Sequence, residues 1–437
     1  MSKYIVVGID YGTRFTKVLF RDNNQVEGKA YVVTNPAFPD GLFPSLLSVK
    51  GEVLRPFANE GDVLAYLKMI AAYGVQKYEN HPDQVLESAE ITIPEELKRQ
   101  KANYQELDLV GLSLSYYFGC LLAEAHRCIQ ARFQPTSEDR LVYQLAVPTA
   151  LTMKSKEVEK FFRICLISGD VLFRTRRDTI LKGLRLSEIY DVLEQEVSQN
   201  LEKVWEKYEH RCTTYPETAA AVAGFFFAQN AGDGIFITSD VGAGTVDLNI
   251  FRRNMPNERN PDPELAYYSS QVAPLGAQRV ADEFEYVQPM EAEELKKRLY
   301  NEIRVLFVRA LQKQPNHGQI NGRRTYDSAR IFLFGGGKAY PIYRETLLMG
   351  LDNGNEANFN HGGVFEPMIL DLPEYDEIEK PVPSVSAGRY AVAFGLTTNP
   401  LNLAKIILPN ELSDIGQNAP PQNNPWNPPA HGFNWDD

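Results

Sequence analysis

Read for hydrophobic period alone, the chain opens on strands. Tyr4–Ile9 is an apolar run, and Lys17–Arg21 and Gly28–Val33 follow it as two further strands, separated by turns rich in Asp, Asn and Gly. Residues 36–105 carry Pro39-Asp40-Gly41, a short strand at Leu46–Val49 and polar helical stretches, the pattern of a small subdomain inserted into the first sheet. Apolar positions return at helical spacing over 108–133, and a strand follows at Leu141–Val147. From 154 to 210 the period is helical again, with Leu186, Ile189, Val192, Leu193 and Val197 on one stripe. Further on, an apolar strand ends at Phe334 in Gly335-Gly336-Gly337, and Pro341 opens a helix. Strands interleaved with helices predict an α/β protein.

Composition narrows the setting more than the fold. A chain of 437 residues with 43% apolar side chains has room for two or three domains with substantial cores. The longest apolar run, Ala219 to Ala228, is half the ~20 residues a bilayer needs, so no membrane span is expected. The first residues lack the basic start and apolar core of a leader peptide. Four cysteines, Cys120, Cys128, Cys165 and Cys212, form no CxxC pair, which predicts free thiols in a reducing cytoplasm and no structural zinc. A net charge of −12 opposes non-specific nucleic-acid binding. Arg174, Arg176, Arg177, Lys182 and Arg185 form the best basic patch, read as a solvated helix face or a partner contact.

The candidate chemistry lies in a repeat. Val7-Gly8-Ile9-Asp10-Tyr11-Gly12-Thr13 and Thr238-Ser239-Asp240-Val241-Gly242-Ala243-Gly244-Thr245 are each an apolar strand that reaches Asp-x-Gly and turns into a second strand. Glycine there permits close approach of a ligand and unusual φ angles, and backbone N–H groups at such a tip can cradle a phosphate. Two hairpins with an Asp in the same place predict two lobes closing on a polyphosphate, with a divalent cation between the carboxylates.

With the glycines at 335–337, these motifs resemble the actin-like ATPase superfamily, which includes actin, the seventy-kilodalton heat-shock chaperones and sugar kinases. The hairpins look like its two phosphate motifs, and Gly335-Gly336-Gly337 like its adenosine motif. Leu145-Ala146-Val147-Pro148, Pro216-Glu217-Thr218-Ala219-Ala220-Ala221 and Ala391-Val392-Ala393-Phe394-Gly395 resemble a strand and the two connecting helices of that fold, in the right order. The resemblance implies a two-lobed fold of duplicated ribonuclease-H-like lobes with ATP or ADP and Mg²⁺ in the cleft. Asp10 and Asp240 would coordinate Mg²⁺, mostly through water. Gly12, Thr13, Gly242, Ala243, Gly244 and Thr245 would hold the phosphates, with Gly276 on the same lobe, and Gly335, Gly336, Gly337 and Lys338 the adenosine.

Three further residues follow from the resemblance, and a fourth, Arg14, departs from it. Lys17, seven residues after Asp10, either reaches the β-phosphate as in actin or is a strand-edge lysine. Lys68 either matches the chaperone lysine that reaches the γ-phosphate or is an ordinary helix residue. Glu217 stands one residue off the acidic position that orients the attacking water. Arg14 stands where the chaperones have a small residue, and either sits beside the phosphates as a permanent charge, tightening nucleotide or stabilising charge in the transition state, or points outward.

The implied organisation is lobe I over 1–230, with the small subdomain at 36–105 and a helical insertion at 154–210, and lobe II over 231–400. In lobe II the upper subdomain, 276–325, is short, and 385–400 holds the helix that returns towards lobe I. Residues 401–437 read as a flexible tail rich in Pro and Asn, whose Trp426, Phe433 and Trp435 either dock a partner or pack back on the chain. The peptide-binding domain of the chaperones is not expected. The leading reading is a chaperone-like nucleotide switch with weak ATPase activity that acts on a protein partner. A filament-forming ATPase and a metabolite kinase are the alternatives.

Overall fold

Two hairpins, one in each half of the chain, each seed a sheet, and the two sheets are laid out alike. A computed structural model describes residues 2–412 except 26–27, 59–61, 66, 79–102, 154, 229–233, 255–261, 281–289, 314–329, 359–368, 371–374 and 384. Trp426, Phe433 and Trp435 lie outside the described residues.

In the first half, β1 (Tyr4–Tyr11) and β2 (Phe15–Asp22) form an antiparallel hairpin, and β3 (Ala30–Val32) lies antiparallel to β2. A short β4 (Phe43–Pro44) pairs with the start of β2. A separate small sheet holds β5 (Leu47–Lys50), β6 (Val53–Pro56) and β7 (Asp62–Leu64). β8 (Arg140–Val147) runs parallel to β1, β9 (Leu184–Arg185) joins the small sheet beside β6, and β10 (Cys212–Pro216) runs parallel to β8.

The second half repeats the scheme. β11 (Gly234–Val241) and β12 (Val246–Asn254) make the hairpin, and β13 (Glu264–Ala273) adds antiparallel to β12. β14 (Arg330–Phe334) and β15 (Ile369–Leu370) add parallel on the other side. Short parallel strands finish both sheets, β16 (Ile378–Glu379) beside β3 and β17 (Lys405–Ile407) beside β13. The orders β10-β8-β1-β2-β3-β16 and β15-β14-β11-β12-β13-β17 therefore match strand for strand in direction.

The helices explain why the central strands read as unbroken apolar runs: a strand covered on both faces has no solvent side. α1 (Leu67–Tyr78) and α2 (Glu106–Phe133) belong to the first half. After the short α3 (Thr149–Thr152), α4 (Lys156–Thr175) packs along α2, so part of the expected 154–210 insertion is a cover for the first sheet. α5 (Leu186–Glu196) and α6 (Leu201–Tyr208) make up the rest, and β9 ties that segment to the 36–105 region. α2 is long and apolar enough to cross a membrane, but 83% of its apolar window is buried inside the protein, which explains its composition without a bilayer.

α7 (Glu217–Ala228), on the other face of the first sheet, is crossed by the short α10 (Ala391–Gly395). α8 (Ala292–Lys313), from the 276–325 segment, lies on β12 and β13 beside α9 (Pro341–Asn358). The crossing of α7 and α10 is close: a Cβ on Gly395 would lie 1.9 Å from the Ala220 carbonyl oxygen. α10 also presses on β1, where a Cβ on Gly8 would come within 2.3 Å of the Ala393 carbonyl oxygen.

Candidate functional site

The registers of the two hairpins are the same. Asp10 faces Lys17 and Tyr11 faces Thr16 in the first; Asp240 faces Asp247 and Val241 faces Val246 in the second. Each leaves a four-residue tip, Gly12-Thr13-Arg14-Phe15 and Gly242-Ala243-Gly244-Thr245. The tips meet, since a Cβ on Gly244 would lie 3.2 Å from Thr13 Cγ2. Both line a single cleft.

Around that cleft the structure gathers most of the residues singled out from sequence. Asp10, Gly12, Thr13, Arg14 and Lys17 come from the first hairpin, Lys68 from α1 and Glu217 from the start of α7. Asp240, Gly242, Ala243 and Thr245 come from the second hairpin, and Gly335, Gly336 and Gly337 from the end of β14. Gly244, Gly276 and Lys338 do not line it. The Gly276 N–H donates to the Gly244 carbonyl at 3.2 Å, and the Ala277 and Gln278 N–H groups donate to the Gly242 and Ala243 carbonyls, both at 2.9 Å. Gly276 thus buttresses the second tip, and the turn brings Ala277 and Gln278 to the cleft instead.

Glycine serves this site mainly through space. Gly12, Gly242 and Gly244 have none of the positive φ angles anticipated for them. At Gly12 the constraint is steric, a Cβ there lying 2.4 Å from the Phe15 carbonyl oxygen. Gly335 alone among the site glycines is left-handed, at φ 88°, and its Cβ would strike Asp240 Oδ1 at 2.3 Å. Backbone and carboxylate are therefore packed together where the glycine wall meets the second hairpin.

The electrostatics are those of acids crowded out of water. Asp10, Glu217, Asp240 and Asp247 are all buried or nearly so. Lys17 Nζ donates to Asp10 Oδ2 at 2.8 Å, and Lys68 forms a buried ion pair with Glu217. Burial works against the Lys68 charge, but Glu217, Asp10 and Asp247 outweigh it and hold its ammonium above the usual lysine range. For Glu217, burial prevails over the attraction of Lys68 and raises the carboxyl. Asp240 is pushed up to about 7 by burial and by the charges of Glu217 and Asp10. Asp247 is raised well above the carboxylate range, first by burial and then by Glu217. Thr245 Oγ1 donates to Asp247 Oδ2 at 3.2 Å, while the buried Oδ1 has no hydrogen-bond partner.

This donor set fits a hard divalent cation, which would relieve the raised carboxyls of Asp240 and Asp247 and meet the orphaned Asp247 oxygen. Among the described residues no three Asp, Glu, His or Cys side chains converge closely enough to hold a metal unaided, so water or ligand oxygens would complete its shell.

Sequence reasoning missed Asp247, although it stands seven residues after Asp240 just as Lys17 stands after Asp10. It also missed Phe15, Phe334 and Tyr340, and Gly388, Arg389, Ala391 and Val392 at the α10 end, which line the same cleft. The four cysteines are unpaired, three of them buried. No protein-family model matches the chain, and no curated protein matches it.

Proposed function

We propose that this cleft binds ATP with Mg²⁺ between the two lobes of an actin-like ATPase fold, and that the protein is a slow ATPase working as a conformational switch for a protein partner. The observation that carries the reading is the duplication: two sheets of one strand order present hairpins of one register, each with an acid in the same place, to a single cleft. The tips bring the Thr13 and Thr245 hydroxyls to the cleft, the raised carboxyls around Asp240 call for a cation, and Gly336, where a Cβ would meet nothing within 4 Å, leaves room for a flat group against the backbone. Mg²⁺, held chiefly by Asp240 and Asp247 with Asp10 nearby, would neutralise charge on the β- and γ-phosphates. Closure on nucleotide would work through the close α7–α10 crossing beside β1.

Lys17, paired across the hairpin with Asp10, favours a second reading, the filament-forming ATPase that has a lysine at that spacing. Sedimentation of the purified chain with Mg²⁺ and ATP, ADP or no nucleotide separates the two, with phosphate release read from the same tubes. A protein that binds ATP and stays in the supernatant supports the switch. Pelleting with ATP that reverses as phosphate appears supports the filament, and failure to bind either nucleotide removes both.

A further inference from the structure

The two tips differ at one position that matters to the chemistry. Their common register sets Arg14 of the first against Gly244 of the second, so one tip carries a guanidinium where the other has no side chain. The charges of the two hairpins diverge in the same sense: in the first, Lys17 is paired with Asp10 and Arg14 adds a further positive charge, whereas the second holds the two acids Asp240 and Asp247. A cation is drawn to the second hairpin and a terminal phosphoryl group to the first.

Arg14 is placed for that task. It lines the cleft while remaining exposed, and its guanidinium lies over the Phe15 ring, 5.0 Å from the centroid. Phe15 is itself packed against the apolar cluster under α7 and α10, so the surface on which the guanidinium rests is fixed. The tip is clamped from behind as well. The Ser45 N–H donates to the Arg14 carbonyl at 2.8 Å, and Ser45 Oγ and Thr16 Oγ1 are 2.8 Å apart, with Tyr117 Oη 2.9 Å from Thr16 Oγ1.

We propose that Arg14 is a built-in arginine finger: it donates hydrogen bonds to the γ-phosphoryl oxygens of bound ATP as the group is transferred to water. In that step the water oxygen bonds to the γ-phosphorus while the bond from phosphorus to the β,γ-bridging oxygen breaks. ADP departs with that electron pair, and the water protons pass to phosphate and solvent. A planar, permanently charged group with several donors stabilises the charge that spreads over the equatorial oxygens and adds little to ground-state binding. The chain would then hydrolyse ATP without an arginine supplied by a partner. This inference rests on the ATP-binding reading above.

The test compares the full-length wild type with Arg14→Ala and Arg14→Lys in single-turnover ATP hydrolysis, alongside binding of Mg²⁺–ADP with and without aluminium fluoride. Arg14 is exposed, so folding should survive, and unchanged thermal unfolding confirms it. Arg14→Ala is expected to lower the hydrolysis rate at least about a hundredfold and to abolish the aluminium fluoride-dependent gain in affinity, while ADP affinity stays within about twofold. Arg14→Lys should recover only part of the rate, lacking the planar fork. Hydrolysis by Arg14→Ala at the wild-type rate overturns the inference and leaves the ATP reading standing, as does a wild type that binds ATP without hydrolysing it. A wild type that binds no nucleotide removes the ATP reading and the inference together.

Discussion

Asp240→Asn should make the protein more stable and less functional at the same time. The Asp240 carboxyl rises from 3.8 in water to about 7 in the fold, because it is buried beside Glu217 and Asp10. A rise of about three units corresponds to roughly 4 kcal/mol of unfavourable interaction with the charged form, at ~1.4 kcal/mol per unit. Between pH 4 and 7 the native state holds a proton that the unfolded chain releases, so this group lowers stability as pH climbs through that window and levels off above 7. Asparagine keeps the shape and removes the charge. Thermal unfolding followed from pH 4 to 8 should show Asp240→Asn more stable than wild type by at most about 4 kcal/mol at pH 8, with the gap closing towards pH 4. Mg²⁺–ATP should raise the wild-type unfolding temperature and leave that of the variant unchanged, because the cation that offsets the repulsion has lost its ligand. A variant no more stable than wild type at pH 8, or a gap that ignores pH, would refute the reasoning.

Three further outcomes follow from the same contacts. Lys68→Met or Glu217→Gln alone should cost about 3–5 kcal/mol in urea unfolding by stranding a buried charge, and the double variant less than the sum, because neither charge is then left behind. Gly395→Ala, whose Cβ would meet the Ala220 carbonyl oxygen at 1.9 Å, should cost about 1–3 kcal/mol by prying α10 from α7; unchanged stability would show that this crossing gives way easily. Gly335→Ala places a Cβ against Asp240 Oδ1 and forces a left-handed backbone on a residue that resists it, so nucleotide affinity measured by titration should fall at least about tenfold.

Much of this site is written in short-range sequence. β1, β8 and β11 read as strands because burial on both faces makes them largely apolar, and Asp10 and Asp240 stand out because each ends such a run at a glycine turn. The parts that did not show depend on register and distant packing. Asp247 becomes a site residue only when β12 folds back on β11 and sets it opposite Asp240. Arg389 and Gly388 arrive from a short turn before α10, on a segment with no hydrophobic period of its own. Gly276, expected beside the phosphates, works from behind the tip through its hydrogen bond to Gly244. β9, two residues long, has no pattern to read, and its pairing with β6 joins the 154–210 segment to the small sheet. Positive φ proved a poor guide to the tip glycines: at Gly12 the constraint is the space taken by the Phe15 carbonyl, and at Gly244 the Thr13 side chain lies close.

Calorimetric titration of ATP into the folded wild-type chain, with Mg²⁺ and again with the metal chelated, tests the central claim most directly. Saturable binding at a single site per chain is expected, dependent on Mg²⁺ and lost in Asp240→Asn. Absence of binding by the folded wild type, or binding indifferent to both Mg²⁺ and Asp240, would contradict it.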